Sequence, residues 1–334
     1  MKKLLAVLLA TFTLFSFVAC GGGNDNNDGN QTANKYSVYM PDGAPALAMA
    51  KLIKENMQFG EEVTYNVVAA TSIGQTVVSK TADVAILPIT AASKTIGNAQ
   101  NYVMLGVVTH GNLYVMSAEE VTSINDLKGK TVGVIGQGQV PDLTFRAILS
   151  DAGVGYELVD NEQAPSAEKV GIRYFGAASD MLPLMKQGKL LTGLLPEPAA
   201  TKITTMNANV SMKIDVQQVY GGDYPQAVLV VKKSIAEENK DFVKALIDAV
   251  TENATWVKDN ASSAVSAINA VVAEGVTPSL DASAITKTVV ENCNIYLQLS
   301  KDAKTSVNEY LAKVKAISEN SANVLSDDFF YTVD

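Results

Sequence analysis

The 334-residue sequence predicts an α/β protein of two lobes, each a mixed, mostly parallel sheet flanked by helices, joined by two crossings of the chain. Three observations predict it. Short β-branched apolar runs alternate with Gly- and Pro-marked turns and helical spacings, the pattern of βα units on a parallel sheet. The units form two series, one before and one after residues 112–117. After the second series a strongly apolar run, Ala227 to Val231, is followed only by long amphipathic stretches, as in a chain that returns to its first lobe. Residues 35–117 and 228–334 are therefore assigned to lobe one, and residues 118–227 to lobe two.

The N-terminus stands apart. Lys2 and Lys3 precede an apolar run that ends Phe17-Val18-Ala19-Cys20, which reads as an export signal over residues 1–19. Its last four residues resemble a bacterial lipobox, with Phe17 where Leu is usual, and the resemblance implies cleavage before Cys20 and lipidation of that cysteine. Residues 21–34 hold no hydrophobe larger than Ala and form a tether, with an r.m.s. span of about 20 Å. Gly21 supplies no Asp-type inner-membrane retention signal. A single-membrane bacterium is the expected source, with the protein on the outer face of its cell membrane.

In lobe one, Lys35 to Met40 is a strand, and Pro41-Asp42-Gly43-Ala44-Pro45 turns it into a helix from Ala46 to Asn56. Val63 to Ala69 is the next strand, after which Thr71 or Ser72 caps a helix carrying Val77 and Val78. Asp83 to Leu87, a short helix after Pro88-Ile89-Thr90, and Tyr102 to Val108 complete the series. The strand Asn112 to Ser117 then leaves it, and a short helix and turn over Val121 to Lys130 lead into lobe two.

There the stretch Lys130 to Leu149 is the most telling in the chain. Thr131 to Ile135 reads as a buried strand, Gly136 to Val140 as a loop, and Pro141 as the first turn of a helix carrying Phe145, Ile148 and Leu149. A helix begun this way aims unpaired N–H groups and its dipole at whatever lies beyond the strand. Spacing argues against a dinucleotide loop: after Gly136 and Gly138, Pro141 stands where the third glycine is needed, and a plain structural turn is the stronger rival. Val170 to Phe175, a helix from Ser179 to Gln187 ended by Gly188, Leu190 to Leu195, a helix opened by Pro196-Glu197-Pro198, and a strand over Lys213 to Val216 follow. The return strand, preceded by Gly221, Gly222 and Pro225, leads to helices over Asn239 to Lys258, Ser262 to Ala273 and Lys301 to Ser318.

Composition narrows the chemistry. Hydrophobic content of 47% and charged content of 18% are globular values, and the net charge of −9 repels nucleic acid and anionic lipid. One histidine and no Cys pair at zinc spacing leave no metal or cofactor site to expect. Cys293, on a stretch that reads as helical with Ile295, Leu297 and Leu299, is a buried small hydrophobe.

Together, the lipobox and tether, the openings at Pro41–Pro45, Thr71–Gly74 and Gly136–Pro141, the Asp126-Leu-Lys-Gly-Lys130-Thr-Val-Gly133 segment and Leu195-Pro-Glu-Pro-Ala-Ala-Thr201 resemble the type II periplasmic-binding-protein fold. The chain is similar in particular to the ABC-importer binding proteins grouped around nitrate, sulfonate, taurine and thiamine-precursor uptake. The resemblance covers about residues 35 to 320. It implies a monomer that traps a small molecule between two hinged lobes and delivers it to an ABC permease.

Ligand contacts are expected at strand ends, from Asp42, Ala44, Thr71, Ser72, Thr90, His110 and Asn112 on lobe one, and from Gln137, Gln139, Val140, Glu197, Tyr220 and Tyr224 on lobe two or its crossing. Each has a plainer reading. Asp42, Ser72 and Thr90 are also suited to helix capping, Glu197 to charge stabilisation of its helix, and His110 to a structural hydrogen bond. Tyr220 and Tyr224 either stack on a flat ligand or are surface aromatics in a Gly-rich loop. Only two arginines exist, and Arg146 falls within a helix, so the candidate set points to a neutral or zwitterionic organic ligand, heteroaromatic if the tyrosines stack on it. An enzyme is not expected. Pyrimidine synthases of thiamine biosynthesis share the fold, but their cysteine-rich motif and histidines are missing here; a hydrolase built on Asp42 and Glu197 alone, and a sensor lipoprotein without an importer, are the alternatives.

Overall fold

The computed structural model describes residues 33–97, 101–160 and 163–332. The export signal, Cys20 and the tether up to Thr32 lie outside these residues. The first series comprises β1 (Lys35–Pro41), α1 (Ala44–Leu47), α2 (Ala50–Lys54), β2 (Glu62–Val68), α3 (Ile73–Val78), β3 (Val84–Pro88), α4 (Ile89–Thr95) and β4 (Tyr102–His110). The second comprises β5 (Leu113–Ser117), β6 (Thr131–Ile135), α5 (Val140–Asp151), β7 (Gly155–Leu158), β8 (Lys169–Phe175), α6 (Ala178–Lys186), β9 (Thr192–Pro196), α7 (Ala199–Met206), β10 (Ser211–Asp215) and α8 (Val216–Tyr220). The return carries β11 (Pro225–Lys232), α9 (Lys233–Glu238), α10 (Lys240–Asp259), α11 (Ala261–Asn269), α12 (Lys287–Asn292), β12 (Ile295–Leu299) and α13 (Ser300–Ile317).

The strands form two six-stranded sheets, ordered β12-β4-β11-β3-β1-β2 and β10-β5-β9-β6-β8-β7. In the first, β11 and β12 oppose the other four strands. In the second only β5 opposes the rest. The two inserted strands, β5 and β11, are the first of their sheet after each crossing. The two-lobed α/β architecture is as expected, with the first sheet more mixed than a mostly parallel reading allows.

The sheet boundaries differ from the expected 117 and 227. β5 pairs with β9 and β10, so the first crossing is at Gly111 and Asn112; β11 begins at Pro225, so the second ends there. A strand that opens a sheet just after a crossing carries the same apolar pattern whichever sheet it joins. The expected helix over 46–56 is two short pieces: the run from Ala46 to Ala50 is buried on every side, with no polar face to favour a regular surface helix. Ile295 to Leu299, read as helical, is the edge strand β12, although Cys293 just before it is buried as expected. Strand β7 and helices α8, α9 and α12 have no counterpart in the sequence reading.

The core has three parts. One covers the outer face of the first sheet beneath α10 and α11, with Leu105, Leu229, Phe242 and Leu246. A smaller one packs α6 and α7 on the second sheet around Met181, Met185 and Ile203. The largest runs through both sheets, from Leu87 and Val107 to Val134 and Phe145, and is joined by Tyr310 and Val314 of α13. That helix bridges the lobes: Thr144 and Tyr310 hydroxyls lie 2.9 Å apart, Arg146 Nη2 donates to the Ile317 carbonyl at 3.2 Å, and Lys313 pairs with Asp151. Among the described residues no helix is long and apolar enough to cross a membrane.

Candidate functional site

Register places the site. β5 runs antiparallel to β9 with Leu113 opposite Pro196, so the carboxyl ends of β9 and of its parallel neighbours β6 and β8 lie at the start of β5. β11 runs antiparallel to β3 and β4, with Ala227 opposite Pro88 and Pro225 opposite His110. The carboxyl ends of β3, β4 and, through β3, of β1 and β2 thus lie at the start of β11. Each inserted strand starts directly after a crossing. Both sheets therefore aim their helix-opening turns at the crossings, where open α/β sheets bind ligands.

The thirteen candidate residues divide by burial. Thr90, His110, Asn112 and Glu197 are buried polar groups, and Ala44 and Val140 are buried at the starts of α1 and α5. Thr71, Ser72 and Gln137 are exposed, while Asp42 and Gln139 are half-buried. The capping readings mostly fail: neither Ser72 nor Thr90 makes a side-chain cap bond, since α4 begins on Pro88 and Ser72 holds an αR backbone. Asp42 instead accepts from Gly43 N–H at 2.9 Å and from Ser279 N–H at 2.6 Å. Glu197 does hold its helix start, accepting from Thr201 N–H at 3.0 Å and Thr201 Oγ1 at 2.7 Å.

Tyr220 and Tyr224 do not offer free faces. Tyr224 is 1% exposed and stacked on Tyr310, with centroids 5.8 Å apart, and Tyr220 lies against both rings beneath Lys313. The Gly-rich loop folds the pair into the core beneath α13, where burial raises the affinity of the Tyr224 hydroxyl for its proton. His110 is likewise covered: its ring stacks on Tyr296 at 3.7 Å and 4°. Desolvation lowers its pKa to about 4 despite the Asp223 charge, so it is neutral at pH 7.

The crossings are sewn together by polar side chains. Gln217 Oε1 accepts from Leu113 N–H at 2.9 Å and from the Tyr224 hydroxyl at 3.2 Å. Asn294 Nδ2 donates to the Gly111 carbonyl at 3.2 Å and to Asp223 at 2.9 Å. A Cβ on Gly111 would meet the Tyr224 ring at 2.5 Å, so only glycine lets the strands approach here. Asn112 accepts on Oδ1 from Gln226 Nε2 at 2.8 Å, and its carbonyl accepts from Glu197 N–H at 3.0 Å. Three buried atoms in this short stretch have no partner among the described residues: Thr109 Oγ1, His110 Nε2 and Asn112 Nδ2. Buried polar atoms are nearly always satisfied, so such a group calls for a ligand or water.

Gln217, Gln226, Asn292 and Asn294 were missed in the sequence. Gln226 has a signal, a lone amide at the head of an otherwise apolar strand; Asn292, whose Nδ2 donates to Glu197 at 3.5 Å, ends the helix α12, and Asn294 stands just before the stretch that reads as helical but forms β12. Arg146 is engaged as its helical placement suggested: it pairs with the buried Asp142, which also accepts from Tyr174 Oη at 2.8 Å. Among the described residues no group of three or more His, Cys, Asp or Glu could hold a metal ion.

The profile of the family described as NMT1/THI5 like matches residues 60–264, more than half of the chain. Among solved structures, an ABC transporter protein from Parabacteroides distasonis superposes with a TM-score of 0.71 at 18% identity, covering 91% of this chain and 100% of that one. The alkanesulfonate-binding protein SsuA from Xanthomonas axonopodis pv. citri, bound to MOPS, gives 0.63 at 12% identity, with 89% and 98% covered. A zinc-bound ligand-binding component of an ABC-type import system from Staphylococcus aureus gives 0.62 at 13% identity, with 89% and 96% covered. No curated protein matches. At these identities the solved structures share a fold with this chain, and it is the family match that assigns it: the chain belongs to the NMT1/THI5-like family.

Proposed function

We propose that the protein is an extracytoplasmic solute-binding lipoprotein that holds a small organic molecule between its two sheets and passes it to an ABC permease. The observation that carries this reading is the convergence of both sets of strand ends on crossings that bury unpartnered polar atoms. A ligand touching both sheets favours the closed arrangement by the contacts it makes only there. Lipid on Cys20 and the short tether keep the folded part beside the membrane.

A neutral or zwitterionic ligand fits the floor best. His110 is neutral at pH 7, Arg146 is tied to Asp142, and Glu197 adds a buried carboxylate that disfavours an anion. Native mass spectrometry of the full chain, purified gently in detergent, tests the reading. A retained small molecule of neutral or zwitterionic character is expected. A retained sulfonate or nitrate would overturn the ligand class, and turnover of the ligand would overturn the binding-protein reading.

A further inference from the structure

We infer that Asn112 and Gln226 form the ligand-reading pair on the floor of this site, and that the ligand is a planar neutral molecule presenting an acceptor beside a donor, as ring amides do. The inference rests on the capture reading above and specifies its ligand.

Gln226 is the second residue of β11, a central strand whose sheet is covered on both faces. Its neighbours along β11 are buried, yet Gln226 is only half-buried. With both faces covered, that exposure lies at the strand end, where β3 and β4 also finish. Its Nε2 donates to Asn112 Oδ1 at 2.8 Å, which fixes how both amides face. Asn112 Nδ2 is left buried with no acceptor, and no described residue donates to Gln226 Oε1. The pair thus leaves one donor and one acceptor unmatched, complementary to an acceptor and a donor on one ligand.

Charge sharpens the selection. The Glu197 backbone bonds directly to Asn112, and its buried carboxylate accepts from neutral donors, Thr201 N–H, Thr201 Oγ1 and Asn292 Nδ2. An acceptor-only anion would satisfy Asn112 Nδ2 but set negative oxygens against Gln226 Oε1 and near Glu197. A site built on paired hydrogen bonds rejects a molecule that leaves its polar groups unmatched. Because Asn112 lies on one crossing and Gln226 directly follows the other, a ligand bound to both also bears on the hinge.

The test is isothermal titration of the full chain in detergent with three probes: uracil as a ring amide, methanesulfonate as an acceptor-only anion, and glycine betaine as a zwitterion without N–H. Uracil is expected to bind, and Gln226→Met to weaken it at least tenfold with the melting temperature little changed. Gln226→Glu, of the same shape, turns the Asn112 amide over and is expected to weaken uracil by a similar factor. Methanesulfonate or betaine binding where uracil does not, or uracil affinity unchanged in both variants, overturns the inference and leaves capture standing. A ligand retained through purification that lacks N–H beside an acceptor does the same. No retained molecule and no heat from any probe overturns both readings.

Discussion

The turn after β1 and the turn after β6 occupy the same place in their sheets and are written in the same residues, yet they are anchored differently. β1 lies between β2 and β3, and β6 between β8 and β9. Each turn uses glycine at positive φ, Gly43 in one and Gly136 and Gly138 in the other, and each following helix has Pro in its first turn. An aspartate stands at each, Asp42 within the first loop and Asp142 in the first turn of α5. Asp42 reaches out of its unit to Ser279, in a loop far along the chain. Asp142, fully buried, ties its own unit together through Gly138 N–H, Arg146 and Tyr174. The helix behind the first turn stops after 4 residues, and that behind the second runs for 12. A shared signature fixes the backbone turn; how deeply its aspartate is buried, and how many partners that carboxylate holds, fix how firmly it is anchored.

The largest effect should come from removing the aspartates. Asp142→Ala leaves Arg146 as an uncompensated charge, with side-chain exposure of only 15%, and strips acceptors from Gly138 and Tyr174. A loss of about 3–5 kcal/mol in urea unfolding is expected. Asp42→Ala frees two backbone N–H groups at a half-buried site, for a loss of about 1–2 kcal/mol. Equal losses would break the comparison.

The crossings differ in the same way, and pH separates them. β4 ends on the buried His110 and passes to β5 through two residues, whereas β10 ends on Asp215, which caps α8 by accepting from Gln217 and Gln218 N–H. His110 has a folded pKa of about 4 against 6.5 for the free side chain. Between these values the unfolded chain takes up a proton that the folded chain does not, so stability falls as pH drops from 6.5 toward 4. The loss reaches up to about 3 kcal/mol, at about 1.4 kcal/mol per pKa unit. His110→Phe keeps an aromatic ring against Tyr296 and should remove this part of the acid destabilisation. An unchanged pH profile in that variant would assign the effect to other groups.

The strand-turn-helix units were legible because each is local: a β-branched run, glycine at positive φ and Pro141 in a first turn lie within a dozen residues. Which sheet a strand joins is decided by partners, so the boundaries at 117 and 227 were misplaced. The floor of the site was half legible. His110, Asn112 and Glu197 stand at strand ends the sequence marks, but Gln226 and Asn294 reach them through register alone. Tyr224 looked free because nothing near it in sequence announces Tyr310, 86 residues away by numbering but stacked on its ring.

That distant helix supplies the next contrast. α5 is fastened to α13 by the Thr144–Tyr310 hydroxyl pair, and the short helix α1 has no such bond to it. Tyr310→Phe removes one buried hydrogen bond while keeping the ring, and should cost about 1 kcal/mol. Hydrogen exchange is expected to rise in α5 and to stay unchanged in α1; a rise in both would mean that α13 braces the two units alike.

The smallest effect concerns a residue the sequence favoured as a cap. Ser72 stands at the start of α3 but makes no side-chain cap bond, whereas Thr286 at the start of α12 accepts from Val289 N–H at 3.3 Å. Thr286→Ala should lose about 1 kcal/mol and Ser72→Ala no more than about 0.3 kcal/mol, since only the first removes a partner from an N–H group at a helix start. Because Ser72 is exposed beside the strand ends that aim at the crossings, its substitution separates stability from binding. If its hydroxyl serves the ligand, Ser72→Ala lowers affinity for the retained molecule while leaving the unfolding curve in place. A shifted unfolding curve would return Ser72 to the scaffold and leave the deep amides, with Thr90, as the polar groups that the first sheet brings to the ligand.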